Sequence, residues 1–559
     1  MTAQEVNIAL CGGAGQGIQT VESILTELIK RSGYNVFSTK EYMSRVRGGL
    51  NSTTIRVSPE PVRAMNGKVD ILLALAPGAV EHMGHRVGSD TKIIGDDVGD
   101  IKGAIVTGLA DEAIKLGSPI YSNIIAASAL ARVLGIERED VDDLVGTRFE
   151  GKGKAVVEAN INAITAGYAL GEELVSKGIS YRFETDSKVK GQLLLNGSQA
   201  IAYGAMAAGC DFISAYPMSP STGVLIHLAA QSHRFGIAVE QAEDEISAIN
   251  MCLGASYAGA RALASTSGGG FALMEEGISL AGITETPIVV HIAQRPGPAT
   301  GLPTRTGQED LELALHAGHG EFPRIIYAPG TLDDAFEAVG AAFNNAEKHQ
   351  VPAFVLTDQY LMDSYHNIGR WDLKPQTIEN HLIKTTPGYK RYEQTESGVS
   401  PRGVPGYGTG LVYADSDEHD VEGRITESAK VRDEMVEKRL RKARGIRKDV
   451  MEPVVDGELD AKLLVVCWGS TYPAALEASR SLGPTVSIVY FKQVYPLPED
   501  AMKYLGSAKR TLIVEGNATS QFGRLIRAET GHVFDHKVLK YDGHPFTADM
   551  LKLKLMEAI

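Results

Sequence analysis

Four carboxylates crowd into six positions where a helix is due to begin: Glu240, Glu243, Asp244 and Glu245. Acids favour the first turn of a helix, so a solvated helix start explains such a cluster in general. Ile246, Ile249 and Leu253 follow at helical spacing and predict a buried face, which would hold a neighbouring acid close to the core. A carboxyl group in that position can hold or pass a proton. A second set of residues is cationic. Arg295 and Arg305 flank Pro296-Gly-Pro-Ala-Thr-Gly-Leu-Pro-Thr304, a loop stiffened by three prolines. Guanidinium grips a carboxylate at two points, and a surface loop is the alternative. A third set is hydroxylic: Tyr216-Pro-Met-Ser-Pro-Ser-Thr222 offers Ser219, Ser221 and Thr222 directly after a strand. Parallel sheets place ligands at that end of a strand, although capping of the next helix explains the hydroxyls equally well.

A glycine run, Gly12-Gly-Ala-Gly-Gln-Gly17, also follows a strand and opens a helix. Amides there can approach a phosphate. The dinucleotide fingerprint nevertheless fails: Gly13 and Gly15 fit, but its last glycine is Ile18, and no acid closes Asn35-Val-Phe-Ser38. A plain tight turn, or a phosphate-bearing ligand other than NAD, remains open. Arg45 and Arg47 beside Gly48-Gly49 could hold a phosphate or lie on a surface hairpin. The four cysteines, Cys11, Cys210, Cys252 and Cys467, are far apart and read as isolated buried thiols, without iron–sulfur or zinc spacing.

These groups need rigid elements to hold them. Val6 to Cys11, Ile71 to Leu75, Ile93-Ile94 and Ala104 to Val106 read as strands around an amphipathic helix from Ile18 to Lys30, and their alternation with helices predicts a parallel sheet. Ser180 to Gly191 suits a linker. A second alternating segment carries strands at Phe212 to Tyr216, Ala262 to Ser265, Pro287 to Ile292 and Ala353 to Leu356. From Thr385 to Pro453 charge, proline and glycine dominate, apart from a charged helix at Ser428 to Arg444; a tether is expected, with a lid or interface arm as the alternative. The last segment, with strands at Leu463 to Cys467 and Thr511 to Val514, is again α/β. With 559 residues, three or four domains are expected. A net charge of −14 disfavours nucleic acid and anionic membrane. No apolar run approaches a membrane span and the N-terminus lacks signal-peptide character, so a cytoplasmic location is expected.

Taken together and in order, these motifs resemble the α subunits of 2-oxoacid:ferredoxin oxidoreductases along nearly the whole chain. Tyr216-Pro-Met-Ser-Pro-Ser-Thr222 is similar to the family's Tyr-Pro-Ile-Thr-Pro-Ser, with Ser219 for the usual threonine. Arg295 falls at the substrate-carboxylate arginine, and the run to Thr304 resembles the 2-oxoglutarate branch. Glu245, nine residues before Gly254, resembles the glutamate that activates the aminopyrimidine of thiamine diphosphate. Gly12 to Gly17 and Arg47-Gly-Gly49 resemble a γ subunit fused ahead of α. Asp417-Glu-His-Asp420 to Arg444 and Glu515 to Gln521 also match family stretches.

The resemblance implies an α/β fold of three α/β domains: a γ-type domain at 1–178, a thiamine-diphosphate pyrimidine-binding domain at 191–384, a charged linker or arm at 385–459, and a transketolase C-terminal-like domain at 460–559. It implies Glu245 as catalytic, Glu245, Pro217 and Met218 at the pyrimidine end of the cofactor, and Ser219, Arg295 and Thr304 on the substrate. Gly13, Gly15, Gln16, Gly17 and Arg47 become the expected contacts to coenzyme A phosphates. The magnesium–diphosphate motif Gly-Asp-Gly is missing; Gly95-Asp-Asp97 comes nearest. No metal site is therefore expected on this chain. Mg2+ and a 4Fe–4S cluster are expected on a β subunit, with the cofactor between the two chains, an (αβ)2 assembly, and ferredoxin as electron partner. The implied reaction is CoA-dependent oxidative decarboxylation of 2-oxoglutarate to succinyl-CoA and CO2, or its reverse. Pyruvate or another 2-oxoacid is the alternative substrate. A nicotinamide dehydrogenase and a non-catalytic regulatory subunit are the alternative functions.

Overall fold

Short runs of β-branched and aliphatic residues ending at glycine or proline become strands, and the helices between them bury one face each. The computed structural model describes residues 5–44, 49–98, 100–369 and 376–559. These form two compact units.

The first unit runs to Leu195 and takes back two later segments, one beginning at Ser364 and the other Thr547–Met550. Its eight-stranded sheet has the order Ile105–Val106, Val87–Gly95, Val69–Ala74, Val6–Gly13, Leu50–Ser58, Asn35–Glu41, Tyr365–Ile368, Leu193–Asn196. The helix Ile18–Arg31 presses Val21, Ile24, Leu25 and Leu28 into the core, each fully buried. Only part of this sheet is parallel, which corrects the sequence expectation. Val6–Gly13 pairs in parallel with Val69–Ala74 but antiparallel with Leu50–Ser58, which pairs antiparallel with Asn35–Glu41. The reason is the connection: residues 42–49 are too few for a crossover helix, so the two strands they join must run in opposite directions. The stretch from Ser180 to Gly191 is also not a free linker. Phe183 and Val189 are buried, Phe183 meets Tyr34 edge-on at 5.3 Å, and Asp186 N donates to Gly33 O at 2.9 Å.

The second unit comprises Asn196–Asp363, the chain from Leu373 to Phe546, and Leu551–Ile559. It holds two sheets. The seven-stranded one has the order Gln493–Tyr495, Ile325–Tyr327, Pro352–Asp358, Ile288–Gln294, Ala262–Thr266, Phe212–Ala215, Ala238–Gln241. Every pairing is parallel except that of the edge strand Gln493–Tyr495. The five-stranded sheet is built around Leu463–Trp468 and Thr511–Glu515. The charged segment after Thr385 is no loose tether. Tyr392, Arg402, His419 and Lys438 within it are buried. Its helix, Ala429–Lys448, is anchored by Lys438 Nζ on both oxygens of Glu285, at 2.7 and 2.8 Å. All four cysteines are buried and free. Among the described residues, no helix is long and apolar enough to cross a membrane.

Candidate active site

In the second unit, the loops that carried chemistry in the sequence all leave the carboxyl ends of the parallel strands, where open α/β sheets bind ligands. Glu245 opens the helix Glu245–Tyr257. Asp244 is the N-cap, its carboxylate accepting from Ser247 N at 2.7 Å, and Glu243 lies exposed. The cluster therefore divides: Asp244 caps, and Glu245 turns inward. Glu245, Ala248, Ile249, Cys252 and Leu253 recur at spacings of three and four, so Glu245 belongs to the buried face. Ile246 does not; it is 49 % exposed, contrary to expectation. Glu245 is 3 % exposed, and its Oε1 is buried without a hydrogen-bond partner.

What Glu245 faces was not read from the sequence. Ser267-Gly-Gly-Gly270 opens the next helix, Gly268–Ile283, and its missing side chains leave room for three other groups. A Cβ on Gly270 would stand 2.6 Å from Glu245 Oε1 and 2.2 Å from Thr266 Oγ1. One on Gly268 would stand 2.3 Å from both carboxylate oxygens of Asp310, and one on Gly269 would stand 3.6 Å from Ala299 O in the arginine–proline loop. Glu245, Asp310 and that loop thus converge on one glycine turn. Three glycines after a strand were the available signal. Asp310, at the start of a six-residue helix, gave none.

Arg295 brings two of the predicted motifs together, since its NH1 donates to Ser219 O at 2.7 Å. Burial pulls the guanidinium down from its ordinary value, against Asp310 and Glu245, which favour its charge. The loop beyond it is tied at several points. Gly297 N donates to Glu309 Oε2 at 2.9 Å, Leu302 N to Pro296 O at 3.1 Å and Thr306 N to Gly543 O at 3.1 Å. Gln308 then exchanges two 2.7 Å bonds with Gly516, through its backbone N and its side-chain Oε1. Thr304 is half-buried on this loop, Pro217 and Met218 are half-buried after their strand, and Ser219 is exposed. Ser221 is not an offered hydroxyl: its Oγ donates to Met218 O at 2.7 Å, within its own turn. Beneath the site, His291 bridges Ser265 and Thr357 at 2.9 and 2.8 Å, and burial pushes it down to about 3, so it stays neutral.

In the first unit the glycine run forms a pocket of roughly 290 Å³ lined by Gly13, Gly15, Gly17, Thr20, Lys40 and Asn51, among others. Gly15 and Gly17 have φ of +90° and +77°, backbone that favours glycine. Gln16 folds back, its Oε1 accepting from Gly13 N at 2.7 Å. Arg47 lies outside the described residues, as does Arg45.

Residues 203–438 match the thiamine-diphosphate-binding domain of pyruvate flavodoxin/ferredoxin oxidoreductase, and residues 7–170 match pyruvate ferredoxin/flavodoxin oxidoreductase. The α subunit of the 2-oxoacid:ferredoxin oxidoreductase of Saccharolobus solfataricus is 31% identical to this chain, over 97% of this chain and 96% of its own. The chain belongs to the 2-oxoacid:ferredoxin oxidoreductase α subunits. The 2-oxoglutarate synthase subunit KorA of Methanocaldococcus jannaschii is 34% identical over 58% of this α subunit and 88% of its own chain. A solved 2-oxoglutarate:ferredoxin oxidoreductase from Magnetococcus marinus, with 2-oxoglutarate, coenzyme A and succinyl-CoA bound, superposes with a TM-score of 0.93. It is 31% identical and covers 99% of both chains.

Two further acidic stretches of the α subunit are structural. The Asp96 carboxylate accepts from Thr107 Oγ1, Leu109 N and Ala110 N at 2.6–2.7 Å, which caps the helix Leu109–Lys115. Glu515 accepts from Trp468 Nε1, Asn517 Nδ2, Ser520 Oγ, Phe522 N and Gly523 N, which satisfies a fully buried carboxylate.

Proposed function

We propose that this α subunit activates thiamine diphosphate and orients a 2-oxoacid for CoA-dependent oxidative decarboxylation, with 2-oxoglutarate as substrate and ferredoxin as acceptor, or for the reverse carboxylation. The observation that carries the reading is the orphaned Glu245 Oε1, buried beside a glycine that leaves it open. A buried carboxylate oxygen without a partner is unfavourable unless a ligand supplies one. The ring nitrogen of an aminopyrimidine fits that need, so Glu245, with Pro217 and Met218, would hold the pyrimidine end. Bound thiamine diphosphate supplies an acidic thiazolium carbon able to add to a keto group and take up electrons. Glu245 holds a proton between its Oε1 and the ring nitrogen, the arrangement that favours the reactive tautomer. Arg295, fixed through Ser219 O, receives the substrate carboxylate, while the Ser219 and Thr304 hydroxyls serve its remaining oxygens.

The bound ligands of the Magnetococcus marinus enzyme and the KorA likeness support 2-oxoglutarate and coenzyme A. In this reading the coenzyme's phosphates lie in the glycine pocket of the γ-type domain, on Gly13, Gly15 and Gly17 with Gln16 bracing the turn, and with Lys40 and Arg47 as the cations. A β subunit supplies Mg2+ and the iron–sulfur cluster, the assembly is (αβ)2, and the enzyme is cytoplasmic. The division at 1–178, 191–384, 385–459 and 460–559 belongs to the same reading.

Glu245→Gln tests it. The assembled enzyme is expected to lose turnover on the order of 10²-fold or more, the scale of general acid–base catalysis. Its subunit assembly should be unchanged. Proton exchange at the cofactor's reactive carbon should slow in parallel; exchange at the wild-type rate would remove Glu245 from this role.

A further inference from the structure

Asp310 stands across the glycine turn from Glu245 and has no part in the chemistry above. Its place is fixed at both ends. Its backbone N donates to Gln294 Oε1 at 3.0 Å, and Gln294 Nε2 donates to Thr357 O at 3.1 Å, so the residue beside Arg295 pins it to the sheet. Its carboxyl lies against Gly268, where any side chain would collide with it, and its Oδ2 is buried without a hydrogen-bond partner. Ser267 Oγ, in the same turn, is likewise buried and unpartnered. Arg295 lies within electrostatic reach, yet the guanidinium donates to Ser219 O. An ionised carboxylate so placed, next to a cation it does not pair with, is an unfavourable neighbour for a substrate that is itself an anion.

We propose that Asp310 is a positioning residue that acts through Arg295: as a neutral acid it leaves the guanidinium to the substrate carboxylate, and as an anion it competes for it. This rests on the reading of Arg295 given above. The step is a single ionisation, the proton leaving Asp310 for solvent as the pH rises and returning when an anionic substrate binds. The groups facing Asp310 are mixed. Burial pushes its carboxyl up to about 7, Glu309 on its own segment adds to the rise, and Arg295 from the substrate loop opposes it. The amino end of the helix Gly268–Ile283 favours the anion, and Glu245 faces the same glycine turn from the neighbouring helix. Burial is the largest of these, which puts the change of state in the neutral range.

The test uses the assembled enzyme with thiamine diphosphate and 2-oxoglutarate, assayed between about pH 6 and 9 to bracket the ionisation. In the wild type, KM is expected to rise roughly tenfold across the range while kcat moves less. Asp310→Asn is expected to hold KM near its low-pH value throughout. The wild-type pH dependence of KM persisting in Asp310→Asn overturns the proposal. A second measurement needs no variant: calorimetry of N-oxalylglycine binding to the wild-type enzyme above neutral pH, in two buffers of different ionisation enthalpy. Net proton uptake on binding supports the proposal, and none overturns it. Arg295→Lys separates the two levels. If it raises KM while Asp310→Asn leaves the pH profile intact, only the role of Asp310 falls. If Arg295→Lys changes nothing, the reading of Arg295 falls with it.

Discussion

Gly270 and Gly254 both lie in helices bordering the site, and they make opposite predictions. A methyl group on Gly270 would meet Thr266 Oγ1 and Glu245 Oε1 at under 3 Å, whereas one on Gly254 would meet nothing within 4 Å. Gly270→Ala is expected to displace Glu245 and to lower kcat/KM tenfold or more, with a stability loss of about 1–3 kcal/mol from overpacking. Gly254→Ala should fold normally and gain about 0.5–1 kcal/mol, because glycine is the poorer helix former. Thermal melts and steady-state kinetics of the pair check both. For Arg295→Lys the charge remains but the two-point fork is lost, so kcat/KM should fall roughly ten- to a hundredfold. Thr304→Val should cost less. Comparing 2-oxoglutarate with 2-oxobutyrate tells which carboxylate Arg295 serves. Equal losses indicate the carboxylate beside the keto group, and a selective loss with 2-oxoglutarate indicates the distal one.

At the scale of elements, the charged helix Ala429–Lys448 owes its place to one buried acid. Burial alone would raise the Glu285 carboxyl, but Lys442, Lys438 and Arg391 overcome it and hold the group well below the ordinary carboxylate range. A depressed pKa means that this stabilisation is complete above the ordinary carboxylate value, about 4.3, and is lost as the pH falls toward the depressed one. Release of the helix, followed by limited proteolysis, should therefore begin only in acid below about pH 4. Glu285→Gln should release it near neutrality, because two ammonium groups are then left buried without a counter-charge, a loss of about 3–5 kcal/mol. Lys430→Ala, which removes an exposed i,i+4 pair with Glu434, should change stability by only about 0.5 kcal/mol or less. Equal sensitivity of the two variants to protease would rule out the buried anchor.

At the scale of the whole chain, the strands at Phe212, Ala262, Ile288 and Pro352 were readable because each is a short apolar run, and those at Phe212 and Ile288 lead directly into loops that carry chemistry in the sequence. That one acid of the 240–245 cluster would lie close to the core was readable from the apolar helical face; its being Glu245, which is 3 % exposed, was implied by the family resemblance rather than by the pattern. What could not be read are pairings across distance. Arg295 meets Ser219 O across 76 residues, and Asp310 meets Gly268 across a turn whose glycines carry no chemical label. The mixed sheet of the first unit was missed because strand direction depends on how short a connection is, which apolar periodicity does not report. The helix of the charged segment was readable and an arm was the alternative to a tether, but the burial of Lys438 and Lys442 was not, because composition assigns lysines to solvent. The proposed division of the site between two chains gives a further expectation. The isolated α subunit should bind neither iron nor thiamine diphosphate tightly. Calorimetric titration of the lone chain checks this, and tight cofactor binding by it would overturn the division.

The bond from Trp468 Nε1 to Glu515 has a practical use. Trp468 is one of two tryptophans in the chain and is fully buried, and its carbonyl oxygen also receives Gln308 Nε2 at 2.9 Å. The indole therefore sits where the five-stranded sheet grips the arginine–proline loop and its continuation through Gln308, a natural fluorophore at the joint. With Trp371, which lies outside the described residues, replaced by phenylalanine, the emission would report that joint alone. Blue and structured light would mean a dry, closed joint. A shift to the red on titrating substrate, coenzyme or partner would time its loosening, optically and without any added label.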